Sequence, residues 1–352
     1  MTRLRALVIA LFAALLSVHA SSQTGTLINR EIHSDNLTHN LIGVEPTRKL
    51  TIYLPPGYAD SRQRYPVIYY LPNPLGDFDA TFTQQHTEQL FDYAIATDRI
   101  GKFILVSVDM STPFGPTWYI NSPITGNWDD FFIHDVIPYI DANFRTLATR
   151  NSRGIFGNFF GGYGAIRFGM VHPEMFSVIY ATHPVGTGSG VQQMVSRPNW
   201  TIIANAKSLN DVKRDGFSGL FTGIFQAFLP DANNAPLFFD PPAHLVNGRV
   251  VIDATQMARL RENWFLDNLV AKYADNLKKL RGLKYDWPRN DNIYDHVYGA
   301  QALTLKFNEF GVPHEAEEFN GTWDEDSTGH TKYADNRVYN EVLPFFGARL
   351  DF

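Results

Sequence analysis

Unbroken blocks of apolar residues recur along the first half of this chain. Residues 65–71, 103–108 and 176–180 are such blocks, as expected for strands covered on both faces. Residues 50–54 alternate instead, like a strand with one covered face, and stop at Pro55-Pro56-Gly57. Residues 87–95 and 128–144 space their apolar side chains like helices, with Pro138 either kinking the second or opening a new turn. A strand at 154–156 runs into a helix reaching Gly169. Strands alternating with helices predict an α/β fold: a mostly parallel sheet flanked by helices.

The pattern breaks near residue 185. From there to about 275 strand signals are scarce, a proline-rich loop spans 230–242, and helical segments such as 254–266 dominate. This predicts a mainly helical lid inserted into one domain. Sheet-domain signals return with a strand at 283–286, a helix at 298–309, a strand at 314–319 and a closing helix at 339–350.

The most informative stretch runs from Gly154 to Ala165. A short apolar run ends in Gly157-Asn158-Phe159-Phe160-Gly161-Gly162 and a helix follows. Strand, glycine-flanked turn and helix are the parts of a nucleophile elbow, G-x-S-x-G, which holds a serine at the tip of a strained turn. With Gly157 and Gly161 at the glycine positions, the tip is Phe159. Shifting by one residue puts Asn158 or Phe160 there and breaks the glycine spacing. A phenyl ring cannot attack a carbonyl.

Composition narrows the setting. The 352 residues suffice for one large core, and the formal charge of −6 without a Lys/Arg-rich run argues against a nucleic-acid partner. Arg3 and Arg5 precede an apolar run over 6–18 that ends in Val18-His19-Ala20, the pattern of a secretory signal. Residues 1–20 are therefore expected to be removed, leaving 21–352 as a single secreted or periplasmic domain with its lid at about 185–275. No apolar run is long enough for a membrane span. With no cysteine, an exported chain rests on its core alone. No nucleotide loop, metal motif or cofactor fingerprint is visible, so no cofactor and no metal is expected. The acidic run 324–328 beside His330 fits no metal spacing. Oligomeric state is left open.

Taken in order, the segments resemble the Putative esterase family of α/β-hydrolases, which includes feruloyl esterases, esterase D and the antigen 85 mycolyltransferases. The resemblance is carried by Tyr53-Leu54-Pro55-Pro56-Gly57-Tyr58 with Tyr65-Pro66-Val67-Ile68-Tyr69, by His134-Asp135-Val136-Ile137-Pro138-Tyr139-Ile140-Asp141, and by Gly161-Gly162-Tyr163-Gly164-Ala165 with His172-Pro173-Glu174-Met175-Phe176. It implies a triad and two backbone donors for an oxyanion. Asp291, in a segment after a strand, matches the acid, with Asp286 and Asp295 as neighbouring competitors. The histidine falls on His330 or, by strict spacing, on Trp323. The backbone N–H of Phe160 matches one oxyanion donor; the other position holds Pro74, which has no N–H.

Loss of the serine outweighs the other departure. Removing a triad serine costs roughly 10⁶ in kcat, whereas one oxyanion donor is worth about 10² to 10³. The sequence thus predicts a hydrolase scaffold that has lost serine-hydrolase activity and binds a small-molecule, ester or carbohydrate ligand, or a partner, in the old cleft. Two alternatives stay open: a non-hydrolytic acid–base catalyst using Asp291 and His330, and a carboxylester hydrolase with another nucleophile.

Overall fold

The computed structural model describes residues 24–75, 78–83, 86–188, 196–322 and 336–352. The signal segment, Trp323 and His330 lie outside these residues. Eight strands form the central sheet: β1 (Thr26–His33), β2 (Thr47–Leu54), β3 (Val67–Leu71), β4 (Ile104–Val108), β5 (Arg153–Asn158), β6 (Val178–Thr182), β7 (Gly282–Pro288) and β8 (Glu315–Phe319). Their spatial order is β1-β2-β4-β3-β5-β6-β7-β8. The pairs β1–β2 and β2–β4 are antiparallel and every later pair is parallel. Strand β1 escapes the sequence reading because it is the outer edge: its residues are exposed or half-exposed and carry no apolar block.

The apolar blocks do what continuous burial requires. Strands β3, β4 and β6 are buried along their whole length, and their side chains alternate between two cores. Val67, Tyr69 and Leu71 join one core with Phe132, Phe168 and Phe176; Ile68 and Tyr70 join the other with Phe91, Phe156 and Phe346. Helices α1 (Thr87–Ala96), α2 (Ile137–Asn143) and α3 (Phe160–Val171) follow β3, β4 and β5. Pro138 neither opens a separate helix nor ends one: residues Phe131–Val136 form a π-helical turn that runs directly into α2, and this wider turn just ahead of the proline accommodates its missing N–H.

Between β6 and β7 the chain leaves the sheet. It builds α4 (Gly216–Phe228), an exposed hairpin of Ala243–Val246 and Arg249–Ile252, α5 (Ala254–Trp264) and α6 (Leu266–Leu277). Helix α6 returns to the sheet layer, where Asn276 Nδ2 donates to the Met170 carbonyl of α3 at 2.8 Å. Helix α7 (Tyr294–Glu309) precedes β8, and α8 (Leu343–Gly347) closes the fold. Among the described residues no helix is long and apolar enough to cross a membrane.

Strand β5 and helix α3 meet too closely for side chains. A Cβ on Gly157 would lie 2.0 Å from the Gly161 carbonyl oxygen, and one on Gly161 would lie 1.8 Å from that of Leu71. Backbone cannot yield as a side chain can. Gly157→Ala or Gly161→Ala is therefore expected to lose at least about 3 kcal/mol or fail to fold, measured by urea unfolding. Gly216→Ala, where a Cβ meets nothing within 4 Å, should stay within about 1 kcal/mol of the parent.

The C-terminal end of α3 is tied down by a titratable contact. His172 Nε2 lies 2.6 Å from Asp129 Oδ1, and its Nδ1 lies 3.2 Å from Glu174 Oε1. Burial alone would lower the His172 pKa, but the two carboxylates outweigh it and raise it above the ordinary 6.5. A raised histidine contributes stability that is full below 6.5 and lost as pH climbs through the folded value. Asp129→Asn should cost roughly 1 kcal/mol at pH 6 and flatten the decline in Tm above neutrality.

Candidate functional site

The site forms at the carboxyl ends of the parallel strands, where α/β sheets place their ligands. Phe159 sits between β5 and α3 with φ 55° and ψ −109°, a region that bulky residues rarely occupy. The strained residue is the one that the glycine spacing puts at the tip. Its N–H donates to the Thr182 carbonyl at 3.0 Å, and its carbonyl accepts from the Tyr163 N–H at 3.2 Å. Both the backbone geometry and its supports are thus those of a nucleophile elbow.

The side chain at that tip is 6% exposed and held among rings. It lies edge-on to Phe160 at 4.6 Å, to His183 at 5.4 Å and to His296 at 5.3 Å between ring centres. The two imidazoles are 5.4 Å apart. His183 directly follows β6, and His296 stands in the first turn of α7. Sequence reasoning missed both histidines.

Asp291 joins them. It lies in the loop after β7, 1% exposed. One oxygen, Oδ1, accepts the Ile293 N–H at 2.7 Å. The other, Oδ2, stands 2.7 Å from His183 Nε2 and 2.7 Å from His296 Nδ1. Burial works against ionisation of this carboxyl, but His183, His296 and the Ile293 N–H hold it far below the usual carboxylate range. His296 is shifted downward by burial, which the neighbouring carboxylate only partly offsets. At neutral pH the cluster is therefore a carboxylate flanked by a neutral His296, whose Nδ1–H points at Asp291 and leaves Nε2 to accept a proton.

The remaining sequence-derived candidates separate. Asp286 belongs to the sheet interior, accepting from the Tyr180 hydroxyl at 2.7 Å and from Arg337 Nη2 at 2.8 Å. Asp295 pairs with Arg197 at 2.9 Å. Phe160 opens α3, so its N–H is among those that the helix itself leaves without an acceptor. Pro74 is buried in the turn after β3, and the next N–H, that of Leu75, is already directed at Asn73 Oδ1 at 3.2 Å. Trp323 and His330, the two candidates for the family histidine, lie outside the described residues.

Phe159 and His296 line a cavity of about 260 Å³. Trp118, Phe160, Trp264 and Phe265 extend its aromatic wall, and α4 covers it with Leu220, Phe221 and Ile224. The Arg197–Asp295 pair and the exposed Leu75 and Phe217 stand among its lining residues. The volume lies just below the range of about 300–1,000 Å³ usual for ligand pockets. Its walls are mainly aromatic and aliphatic.

Comparison with known proteins agrees with this geometry. The family described as Putative esterase matches residues 43–213. An esterase of Mycobacterium tuberculosis is 33% identical over 124 residues, which is 34% of this chain and 25% of that protein. An endo-1,4-beta-xylanase/feruloyl esterase of Xylanibacter ruminicola is 28% identical over 169 residues, 46% of this chain and 23% of that one. The chain thus spans about a quarter of the curated relatives it matches. Among solved structures, a ferulic acid esterase superposes with a TM-score of 0.60 at 16% identity, covering 93% of this chain and 99% of its own. An S-formylglutathione hydrolase from Agrobacterium tumefaciens gives 0.56 at 14%, covering 94% and 97%. At such identities the likeness is one of fold. With its mostly parallel sheet and strained elbow the chain has the α/β-hydrolase fold, and its residues 43–213 are similar to the Putative esterase family.

Proposed function

We propose that this protein is an exported member of the family that no longer acts as a serine hydrolase and instead binds a compact, mainly apolar ligand beneath a helical lid. One observation carries this reading: the residue in elbow geometry is a phenylalanine, and its ring packs where an attacking oxygen would stand. The aromatic cavity beside it supports binding, and the basic, apolar N-terminal segment supports export. The proposed lid would include α4, whose Leu220, Phe221 and Ile224 line the cavity. Pro74 adds an independent argument, because even a restored nucleophile would face an oxyanion site with one donor fewer.

The reading predicts that a fluorophosphonate probe leaves the purified protein unlabelled and that p-nitrophenyl esters are turned over no faster than in buffer. Phe159→Ser alone should remain below about one-thousandth of the activity of an ordinary family esterase. Labelling of the parent protein, or brisk hydrolysis by the single variant, contradicts it.

A second reading rests on the 2.7 Å contact between Asp291 Oδ2 and His296 Nδ1 in a residue that lines the cavity. An oriented neutral imidazole is a competent general base for isomerisation, elimination or cyclisation, none of which needs a covalent intermediate. His296 takes the part assigned from sequence to His330. Under this reading the parent protein exchanges an activated C–H of a bound lactone or ester with solvent deuterium, followed by NMR, and His296→Gln slows that exchange at least about 100-fold. Equal exchange in both proteins removes it.

A further inference from the structure

We infer that His183, Asp291 and His296 form a binding site for one divalent transition-metal ion of the zinc type. Three ligand atoms from three separate segments, His183 Nε2, Asp291 Oδ2 and His296 Nδ1, lie within 4.8 Å of one another. The segments are the end of β6, the loop after β7 and the start of α7, so the sheet itself brings them together. Two imidazoles and one carboxylate suit zinc, cobalt or iron, whereas magnesium and calcium prefer all-oxygen shells.

The surroundings match what such a site requires. Asp291 is oriented by the Ile293 N–H on Oδ1, which leaves Oδ2 turned toward the imidazoles. His183 is fixed through its own backbone, whose N–H donates to the Asp286 carbonyl at 2.8 Å. Partners of this kind orient ligands and tune a bound metal. Around an ion with bonds of about 2.1 Å, ligand atoms stand roughly 3.4 Å apart in a tetrahedron. Metal binding would lengthen the two 2.7 Å contacts by about 0.7 Å each and bring the two imidazole nitrogens, now within 4.8 Å, to the same spacing. Three protein ligands leave a fourth position, and of the three residues His296 lines the cavity.

The competing arrangement is a closed cluster in which both imidazoles donate N–H to Oδ2. The two states differ in an observable way, because the same nitrogens carry protons in one and lone pairs in the other. The inference does not depend on the elbow having lost its nucleophile.

The test uses the full chain without an affinity tag, stripped with a chelator and dialysed against metal-free buffer. We expect one zinc per chain by mass spectrometry, visible d–d absorption on cobalt substitution, and a rise in Tm with added zinc. His296→Gln and Asp291→Asn should each weaken zinc binding by at least roughly 100-fold, since even the supporting partners of metal ligands are worth about 10- to 100-fold. His134→Gln, at a histidine whose side chain is 68% exposed, should change nothing. The metal-free His296→Gln protein is compared with the parent by near-UV circular dichroism, and His183→Gln replaces it should it not fold. Substoichiometric zinc with equal affinity in the His296→Gln and His134→Gln proteins overturns the assignment, as do imidazole N–H resonances that persist unchanged under saturating zinc.

Discussion

The structure depends on the close approach of α3 to the strands beneath it. Gly161 lies against the Leu71 carbonyl and Gly157 against Gly161, with no room for a Cβ at either contact. That contact forces the chain to reverse within one residue, and the residue at the reversal takes a left-handed conformation whatever its side chain. In a hydrolase this strain projects a hydroxyl. Here the same backbone projects a benzyl group. A non-glycine residue held there costs of order 1–3 kcal/mol, which the surrounding packing must offset.

The second organising feature is electrostatic. A buried carboxylate is expensive unless its oxygens are satisfied, and Asp291 is satisfied by one backbone N–H and two imidazoles. The cluster's geometry is thus explained by solvation before any function is invoked. What exceeds that minimum is the donor set itself: two imidazoles converging on one oxygen, with one of them lining an aromatic cavity.

Much of the fold was legible because continuous burial writes itself as continuous apolar sequence. Strands β3, β4 and β6 follow from that rule, and the elbow follows from the spacing of Gly157 and Gly161. Strand β1 was not legible, because an exposed edge strand has no hydrophobic block to betray it. Phe159 and Asp291, which the structure places around the same two imidazoles, could be reached through motifs local in sequence. His183 could not, since it meets Asp291 from 108 positions away. His296 lies five positions past Asp291, a spacing with no local periodicity to flag it. One signal was available for both: each follows a strand of the parallel sheet at its carboxyl end, His183 at once and His296 in the first turn of the next helix, where such sheets assemble their sites. The register choice between His330 and Trp323 falls on residues beyond those described.

The strained turn has a mechanical corollary. Phe159 hands its N–H to the carbonyl of Thr182, and His183, itself at φ 45°, hands its own to Asp286. Three successive strand ends are thereby laced in series, each awkward residue anchored by the strand beside it. The floor of the chamber is thus braced by the sheet itself, so that a guest of the proposed kind would meet a mould largely set beforehand, with contour rather than adjustment deciding the fit.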